Sequence, residues 1–379
     1  TLGADNGIGV AAIMAILSSE NIAHPNIEAL FTIDEETGMT GAKSLQNDIL
    51  NGTILLNLDT ENDEEITIGC AGGLDITAQK KYDAQQISTD AYELFRITVN
   101  GLQGGHSGME IHKGLGNANK IMNRVLYTCL EQTAILIHEI NGGGLRNAIP
   151  RESTAVIVVP TNEVAILSQI VAQQNDIIKQ ELYRVDANVN VSLSAYTHDG
   201  TQIEVLSVED TQLLVKAIYA APNGVHRMSN EMKDLVETSN NVARVLVSKG
   251  NISIQCLTRS SVDSSKQDLA NALKAAFELM GATVQFSGEY PGWTPNIDSP
   301  ILKLMKETYK NRFGKEAHVN ACHAGLECGI ISGHYPSLDM ISFGPTIEGA
   351  HSPDERVSVS SVQKFWGFLL DVLQKVPQK

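Results

Sequence analysis

Two adjacent glutamates, Glu35 and Glu36, lie between an apolar run at residues 27–33 and a glycine, Gly38. The run alternates apolar side chains with others, which predicts a buried strand. Open α/β sheets place their chemistry at the carboxyl ends of the strands, where this pair would lie. One carboxylate of such a pair can bind a metal ion while the other transfers protons. Taken alone, the pair would more simply be a solvent-exposed acidic turn.

Three other segments place a side chain of the metal-binding type at the end of an apolar element. Asp5 lies among glycines just before residues 10–19, whose apolar positions predict a helix. Asp59 is near the end of residues 53–60, a hydrophobic run typical of a buried parallel strand. His351 lies in a loop ahead of the last helix. Asp5 alone would be a turn or N-cap residue. Together with the glutamates, these residues predict a divalent metal site with nitrogen and oxygen ligands.

The composition argues against several classes of function. A net charge of −16 and a pI of about 5.0 disfavour binding to DNA, RNA or anionic membranes, since those surfaces attract clustered lysine and arginine. No apolar stretch reaches the roughly 20 residues that a membrane-spanning helix needs. The five cysteines have neither paired nor Cys-x-x-Cys spacing, which predicts reduced thiols in a cytoplasmic protein.

The chain of 379 residues is long enough for two domains. Helix and strand patterns alternate near both ends of the sequence, as in an α/β layer. Between these ends, the patterns predict the order helix, strand, strand, helix, strand, and a similar order occurs a second time over residues 208–288. We therefore predict an α/β catalytic domain formed by residues 1–73 and 289–379, with a doubled lid domain inserted at residues 74–288. A separate lid can close over a small substrate and exclude water.

Nine segments, in order along essentially the whole chain, resemble the dinuclear zinc exopeptidase family that includes aminoacylase, peptidase T and carnosinase. Within that family they are most similar to the bacterial aminoacyl-histidine dipeptidases. The segments are TLGADNGIG at 1–9, DEETGMTGA at 34–42, NLDTENDEEITIGCAGG at 57–73, GLQGGHSGMEIHKGLGNANK at 101–120, LRNAIPRE at 145–152, IQCLTRSSVDS at 254–264, YPGWTP at 290–295, HAGLECG at 323–329 and GPTIEGAHSPDE at 344–355. The resemblance implies a mixed, mostly parallel sheet flanked by helices, plus an inserted α+β lid with two ferredoxin-like halves.

The resemblance also implies a role for each candidate in the catalytic domain. Asp5 matches the carboxylate that bridges two zinc ions. Glu36 and His351 match ligands of one zinc ion, and Asp59 matches a ligand of the other. Glu35 matches the general base. The implied cofactor is two Zn²⁺ ions per subunit, although Mn²⁺ and Co²⁺ accept the same ligands.

Further candidates contact the substrate in relatives of this family. His106 matches a lid histidine that stabilises the oxyanion, in several members from the partner subunit, so we expect a homodimer that forms through the lid domain. Asn147 and Arg259 match lid residues that hold the substrate backbone and its terminal carboxylate, for which the planar guanidinium is suited. Glu327 is expected to pair with the free α-amino group of a dipeptide. His323, in the same loop, is either a substrate-binding or a structural histidine.

One zinc ligand of the family has no match in the sequence. In relatives it is the histidine of a His-x-Asp motif that lies upstream of the GADNG segment, and this sequence starts at Thr1, within that segment. We therefore expect that an amino-terminal part, carrying this motif, is missing from the sequence.

The predicted function is hydrolysis of small dipeptides, preferentially Xaa-His, by a water that two zinc ions activate and from which Glu35 takes a proton. The alternatives are a tripeptidase, an aminoacylase or a cysteinylglycine-type dipeptidase on the same scaffold, or a non-catalytic protein that binds peptides or metal. A protein that only binds has no use for an unligated base beside the metal, so Glu35 argues against the last alternative. Serine hydrolysis has no support, because the sequence has no Gly-x-Ser-x-Gly motif.

Overall fold

A computed structural model describes residues 2–36 and 38–376 of the chain. Its α-helices are α1 (Ala4–Leu17), α2 (Thr40–Lys43), α3 (Ala118–Leu130), α4 (Val164–Leu182), α5 (Val208–Ala220), α6 (Asp263–Glu278), α7 (Pro300–Phe313), α8 (Glu327–His334) and α9 (Val359–Lys375). Its strands are β1 (Ile54–Asn57), β2 (Glu65–Cys70), β3 (Gly72–Lys81), β4 (Gln85–Ser88), β5 (Tyr92–Asn100), β6 (Gly105–His106), β7 (Leu136–Gly143), β8 (Ala148–Ile149), β9 (Ser153–Pro160), β10 (Asn190–Ala195), β11 (Gln202–Val205), β12 (Gly224–Met228), β13 (Val236–Ser248), β14 (Asn251–Ser260), β15 (Thr283–Tyr290), β16 (His318–Cys322), β17 (Asp339–Ser342), β18 (Ile347–Glu348) and β19 (Arg356–Val357).

The chain separates into two compact units. The first contains Thr1–Gly72, Asn230–Leu235 and Tyr290–Lys379, and the second contains Gly73–Ser229 and Val236–Glu289. The sequence predicted a continuous insertion, whereas in the structure the short segment Asn230–Leu235 groups with the first unit.

The first unit is built on a sheet with the strand order β1-β17-β2-β16. Strands β1 and β17 pair in parallel, as do β2 and β16, while β17 and β2 meet in antiparallel direction at Ser342 and Thr67. Buried side chains of β2 and β17, such as Ile66 and Ile341, form one core with side chains of α7 and α9. This mixed, mostly parallel sheet with flanking helices confirms the predicted fold class of the catalytic domain.

Helix α7 begins and ends at residues whose own chemistry favours helix ends. The hydroxyl of Ser299 accepts a hydrogen bond from the N–H of Leu302 at 3.0 Å, and Pro300 occupies the first turn. The helix ends at Gly314, whose φ of 69° lies in the left-handed region that favours glycine. Local capping chemistry therefore sets both ends of this helix.

The second unit is a large sheet with the strand order β10-β5-β9-β7-β13-β14-β3-β15, and β12 pairs with β13. Strand pairs from β10 through β14 are antiparallel. Helices α3, α4, α5 and α6 contribute to its core, through side chains such as Leu126, Leu167, Leu214 and Leu273. The chain order α5, β12, β13, β14, α6, β15 has one short strand more than the sequence predicted.

The buried strand predicted at residues 27–33 is wrong. The structure assigns no strand there, and the side chains of Phe31 and Ile33 are 50% and 73% exposed. Ile27 and Leu30 both pack against hydrophobic cores, so the inward-facing positions do not follow the apolar alternation. The segment carries apolar residues on both faces, and a period of two cannot then decide which face is buried.

The structure also tests the expectations for the cysteines and for membrane-spanning helices. All five cysteines are free thiols, as predicted, and Cys70, Cys129, Cys256 and Cys328 are buried. Within residues 2–36 and 38–376, no helix is long and apolar enough to cross a membrane.

Candidate active site

Asp5 lies in a turn at the amino end of α1. Gly3 has a φ of 76°, and Asp5 and Asn6, joined by a cis peptide bond, have φ and ψ angles that are not helical. The side-chain oxygen of Asn6 then accepts a hydrogen bond from the N–H of Gly9 at 3.1 Å. The regular helix therefore starts after Asn6, and the Asp5 carboxylate, only 8% exposed, lies at its amino end. Turn and helix were both predicted, although α1 starts earlier than residue 10.

Glu35 and Glu36 lie in a turn that is closed by the residue before them. The carbonyl oxygen of Asp34 accepts a hydrogen bond from the N–H of Gly38 at 3.1 Å, and its carboxylate accepts one from the hydroxyl of Thr40 at 2.9 Å. Asp34 itself has a φ of 62°. Asp34 thus closes the turn with its backbone and its side chain, a role that sequence analysis missed.

His351 lies in a loop whose base is closed by a short antiparallel pair. Strands β18 and β19 pair through Ile347 with Val357 and through Glu348 with Arg356. His351 has a φ of 63°, and its side chain is 65% exposed. The ring is therefore placed by the loop backbone rather than by packing.

Asp5, Glu36 and His351 come together although they are far apart in the sequence. Nε2 of His351 lies 3.1 Å from Oδ2 of Asp5 and 2.8 Å from Oε2 of Glu36. One ligand atom of each residue lies within 4.8 Å of the other two. A single ring N–H cannot point at both carboxylates at once, whereas a cation between the three atoms can interact with all of them.

Glu35 and Asp59 belong to the same group of charges. Burial, followed by repulsion from Glu36, Glu327 and Asp5, raises the pKa of Glu35 to about 7. Burial and repulsion, from Asp5 first, raise the pKa of Asp59 to about 8. Carboxylates held so close are costly unless a proton or a cation neutralises them. This donor set of carboxylates and one imidazole therefore fits divalent metal ions such as zinc.

Two more carboxylates of this group had no role assigned from the sequence. The pKa of Glu61 is raised, by burial and then by the charge of Asp5, against a smaller opposing effect of His351. Glu355 is buried, and hydrogen bonds from the backbone, from Asp5 and Gly3 first, hold its pKa below the usual range. Glu61 lies two residues after Asp59, so its position in a strand-end loop was the available signal.

Glu327 and His323, the predicted substrate-binding pair of the first unit, are both buried. Oε1 of Glu327 has no hydrogen-bond partner among the described residues. Burial raises the pKa of Glu327, and a hydrogen bond with Thr32 partly offsets this. Its charge also acts on Glu35 and Asp59, so the unpartnered oxygen belongs to the same acidic group.

In the second unit, the backbone fixes the proton position of the His106 ring. Nδ1 accepts hydrogen bonds from the N–H groups of Gly108 and Met109 at 3.2 and 3.0 Å. The neutral ring therefore carries its proton on Nε2. Burial and the positive charge of Arg259 lower the pKa of His106, against the opposing effect of Glu110.

The structure brings His106, Asn147 and Arg259 together within the second unit. His106 pairs with Ala148 through β6 and β8, and the carbonyl oxygen of Asn147 accepts a hydrogen bond from the N–H of Ser107 at 2.8 Å. Arg259 is 5% exposed and acts electrostatically on His106. The three residues lie on β6, before β8 and on β14, so non-local strand pairing assembles them.

A buried asparagine that the sequence did not single out supports Asn147. The side-chain amide of Asn241, on β13, donates to the carbonyl oxygens of Arg146 at 3.0 Å and of Ala148 at 2.8 Å. Its own oxygen accepts from the amide of Asn117 at 3.1 Å. The backbone on either side of Asn147 is thereby fixed to the sheet.

Comparison with known proteins identifies the family. The model of peptidase family M20/M25/M40 matches residues 3–375. The chain is 43% identical over 379 residues to the cytosol non-specific dipeptidase of Escherichia coli (strain K12), covering 100% of this chain and 77% of that protein. The chain therefore belongs to peptidase family M20/M25/M40, and it is a hydrolase of the metal-dependent kind found in that family.

Two further comparisons describe the fold and a more distant relative. The crystal structure of aminoacylhistidine dipeptidase from Vibrio alginolyticus superposes with a TM-score of 0.96 and 40% sequence identity, covering 100% of this chain and 76% of that one. The uncharacterized protein YqjE of Bacillus subtilis (strain 168) is 25% identical over 214 residues, 53% of each chain. The first of these shows that the two chains share one fold, with the mixed sheet, flanking helices and second unit described above.

Proposed function

We propose that the chain is a dipeptidase that uses two divalent metal ions, zinc in the first place, and prefers dipeptides with a carboxy-terminal histidine. The observation that carries the proposal is the convergence of Asp5, Glu36 and His351 on one point, beside Glu35 and Asp59. The names of the Escherichia coli and Vibrio relatives, both dipeptidases, support the substrate class.

Asp5, Glu36, Asp59 and His351 would hold the metal ions. When bound, such ions supply Lewis acidity, which polarises a carbonyl group and makes water more acidic. Glu35 then has the proton-transfer role: its carboxylate takes a proton from the attacking water and returns it to the departing nitrogen. Burial is the first cause of the raised pKa of Glu35.

The remaining candidates would bind the substrate. Nε2–H of His106 is a neutral donor that suits the developing oxyanion, because the lowered pKa keeps the ring neutral. Arg259 suits the terminal carboxylate of a dipeptide, and Asn147 its backbone. Oε1 of Glu327, which has no partner among the residues that the structure describes, suits a free α-amino group, and this favours unblocked dipeptides over N-acyl amino acids.

Location and assembly follow from weaker observations. The free thiols and the word cytosol in the name of the Escherichia coli relative support a cytoplasmic protein. We assign the second unit the roles of lid and of homodimer interface, on the basis of the family role of His106.

A substrate panel tests the proposal. The metal-free protein is reloaded with Zn²⁺, Co²⁺ or Mn²⁺ and assayed with Xaa-His dipeptides including carnosine, with other dipeptides including cysteinylglycine, with tripeptides and with N-acetyl amino acids. We expect metal-dependent release of histidine from Xaa-His dipeptides, at a rate higher than that of hydrolysis of the other dipeptides. Equal rates on all dipeptides would support the breadth that the name of the Escherichia coli relative expresses. No histidine release from any Xaa-His substrate would reject the proposal.

A further inference from the structure

Glu355 connects two segments that each carry a candidate metal ligand. One of its carboxylate oxygens accepts a hydrogen bond from the N–H of Gly3 at 2.8 Å, and the other accepts one from the N–H of Asp5 at 3.0 Å. The side chain is buried, with 8% exposed. Glu355 also follows His351 within the loop between β18 and β19. A single carboxylate therefore joins the Asp5 turn to the His351 loop.

The two segments benefit from such a connection because the backbone of neither ligand has regular helix or strand geometry. Asp5 lies in a non-helical turn after a glycine with positive φ, and the ring of His351 is mostly exposed. Apart from the short pair of β18 with β19, the loop backbone offers little regular structure around His351. The hydrogen bonds that Glu355 accepts tie the backbone of Asp5 itself to the His351 loop.

We propose that Glu355 is a positioning residue, which holds the Asp5 turn and the His351 loop at the separation at which both can bind the same cation. The inference rests on the metal centre of the proposed function. Metal ligands that are held in place by surrounding hydrogen bonds bind more tightly, and loss of such a bond typically costs about 10–100-fold in metal affinity. Glu355 acts through the backbone of one ligand and the loop of the other, without contacting a ligand side chain.

The next residue along the chain supplies a matched control. Asp354 carries the same charge in the same loop, but it is exposed and its backbone N–H is bonded to Ser352 within the loop. Glu355→Gln and Asp354→Asn each remove one negative charge from the loop. Only the first replaces an acceptor that faces the backbone N–H groups of Gly3 and Asp5 with an amide that presents a donor to one of them.

The test measures Co²⁺ binding to the metal-free proteins by competition with a chromophoric chelator, together with the visible absorption spectrum of the bound ion. We expect E355Q to bind Co²⁺ about 10–100-fold more weakly and with an altered spectrum. D354N should match the wild type in both. Glu355→Asp, which keeps the charge on a shorter side chain, should restore part of the affinity. A role in folding alone would lower the melting temperature without changing the spectrum.

E355Q that binds Co²⁺ with wild-type affinity and spectrum would overturn the inference. Should E355Q not fold, E355D decides, and it overturns the inference if its affinity equals that of D354N. Peptidase activity is assayed separately. A wild-type protein that binds Co²⁺ and hydrolyses no substrate of the panel would reject the proposed function and leave the positioning role standing, whereas a wild type that binds no Co²⁺ overturns both.

Discussion

Which ring nitrogen of His106 carries the proton decides whether the residue can act as a base or as a hydrogen-bond donor. A histidine that acts as a base needs a free ring nitrogen, but Nδ1 of this ring is already occupied by the N–H groups of Gly108 and Met109. Nε2 carries the proton, so the ring can donate a hydrogen bond and cannot readily accept a proton there. The lowered pKa keeps it neutral, which suits stabilisation of a developing negative charge by a neutral donor.

The proton-transfer role of Glu35 gives the sharpest test at a single residue. Glu35→Gln keeps the size of the side chain and removes its basicity. We expect turnover to fall by about 10²–10⁴-fold, since that is the usual contribution of a general base. The metal content per protein, measured by elemental mass spectrometry, should stay at the wild-type level. Glu20→Gln, at an exposed position, is the control. E35Q with activity close to that of this control would disprove the role.

At the scale of secondary structure, the turn around Asn147 depends on a strand far away in sequence. Asn241→Ala removes the hydrogen bonds that β13 makes to the carbonyl oxygens of Arg146 and Ala148. We expect the free energy of unfolding to fall by about 1–2 kcal/mol, because two half-buried carbonyl groups each lose a hydrogen bond. If Asn147 binds substrate, KM should rise more than kcat falls.

The control for this prediction is Asn251→Ala, which alters an exposed asparagine at the start of β14. Urea unfolding measures stability, and steady-state kinetics on a hydrolysed dipeptide measure KM and kcat. An N241A protein as stable as N251A would show that the turn is held by other contacts.

An ion pair that joins β3 to α5 makes stability depend on pH. Nζ of Lys80 lies 2.6 Å from the carboxylate of Asp210, which also accepts a hydrogen bond from the hydroxyl of Ser207 at 2.9 Å. Partial burial raises the pKa of Asp210, but the bonds from Lys80 and Ser207 outweigh it and leave the pKa below its usual value. A pKa lowered by folding stabilises the protein above the unfolded pKa of about 3.9, and this stabilisation is lost as pH falls through the folded pKa.

Asp210→Asn should therefore lower the free energy of unfolding by about 1 kcal/mol at pH 7. The difference in the free energy of unfolding between D210N and the wild type should shrink as pH falls below about 4, because the wild-type carboxylate then becomes protonated and loses its charge. Urea unfolding at several pH values measures this, and Asp268→Asn, an exposed aspartate on α6, is the control. A difference that stays constant down to the lowest pH would contradict the assignment to the ion pair.

The elements that a sequence can predict well are those whose ends or apolar runs are set by local chemistry. Ser299, Pro300 and Gly314 define α7 through capping, and β1 follows from a continuous apolar run. The failure at residues 27–33 has the opposite cause, since Phe31 and Ile33 are apolar yet exposed. Which face of a strand-like segment is buried depends on its neighbours, and these are not encoded in its own alternation.

The site shows the same division between local and non-local information. Glu35 and Glu36 stood out because they adjoin an apolar run, but no spacing in the sequence links Glu36 to His351. Only the resemblance to a family supplied that link. Glu355 and Asn241 were not given a role, because each acts through backbone N–H or carbonyl groups of distant segments and has no motif of its own.

At the scale of the whole molecule, the two units have separate hydrophobic cores, and the candidate metal ligands all belong to the first. A bound metal stabilises the folded form by mass action, by about 2.7 kcal/mol when its concentration is 100 times the dissociation constant. We therefore expect calorimetry to resolve two transitions. Adding a chelator should lower one melting temperature by roughly 5–10 °C and leave the other in place.

Equal displacement of both transitions, or one transition that moves as a whole, would contradict this separation. Glu35→Gln provides a control, since it keeps the metal ligands and should respond to the chelator as the wild type does.

Because Asn230–Leu235 belongs to the first unit, the second unit is difficult to exchange between proteins, by engineering or in evolution. The polypeptide passes between the units at four places rather than two, and Met232 of this segment packs against the first unit's core. A cassette cut from residues 73–289 would carry six residues evolved for another scaffold and would leave a gap in the one it came from. Recombination at the two outer junctions alone would therefore be a poor way to exchange this module among relatives.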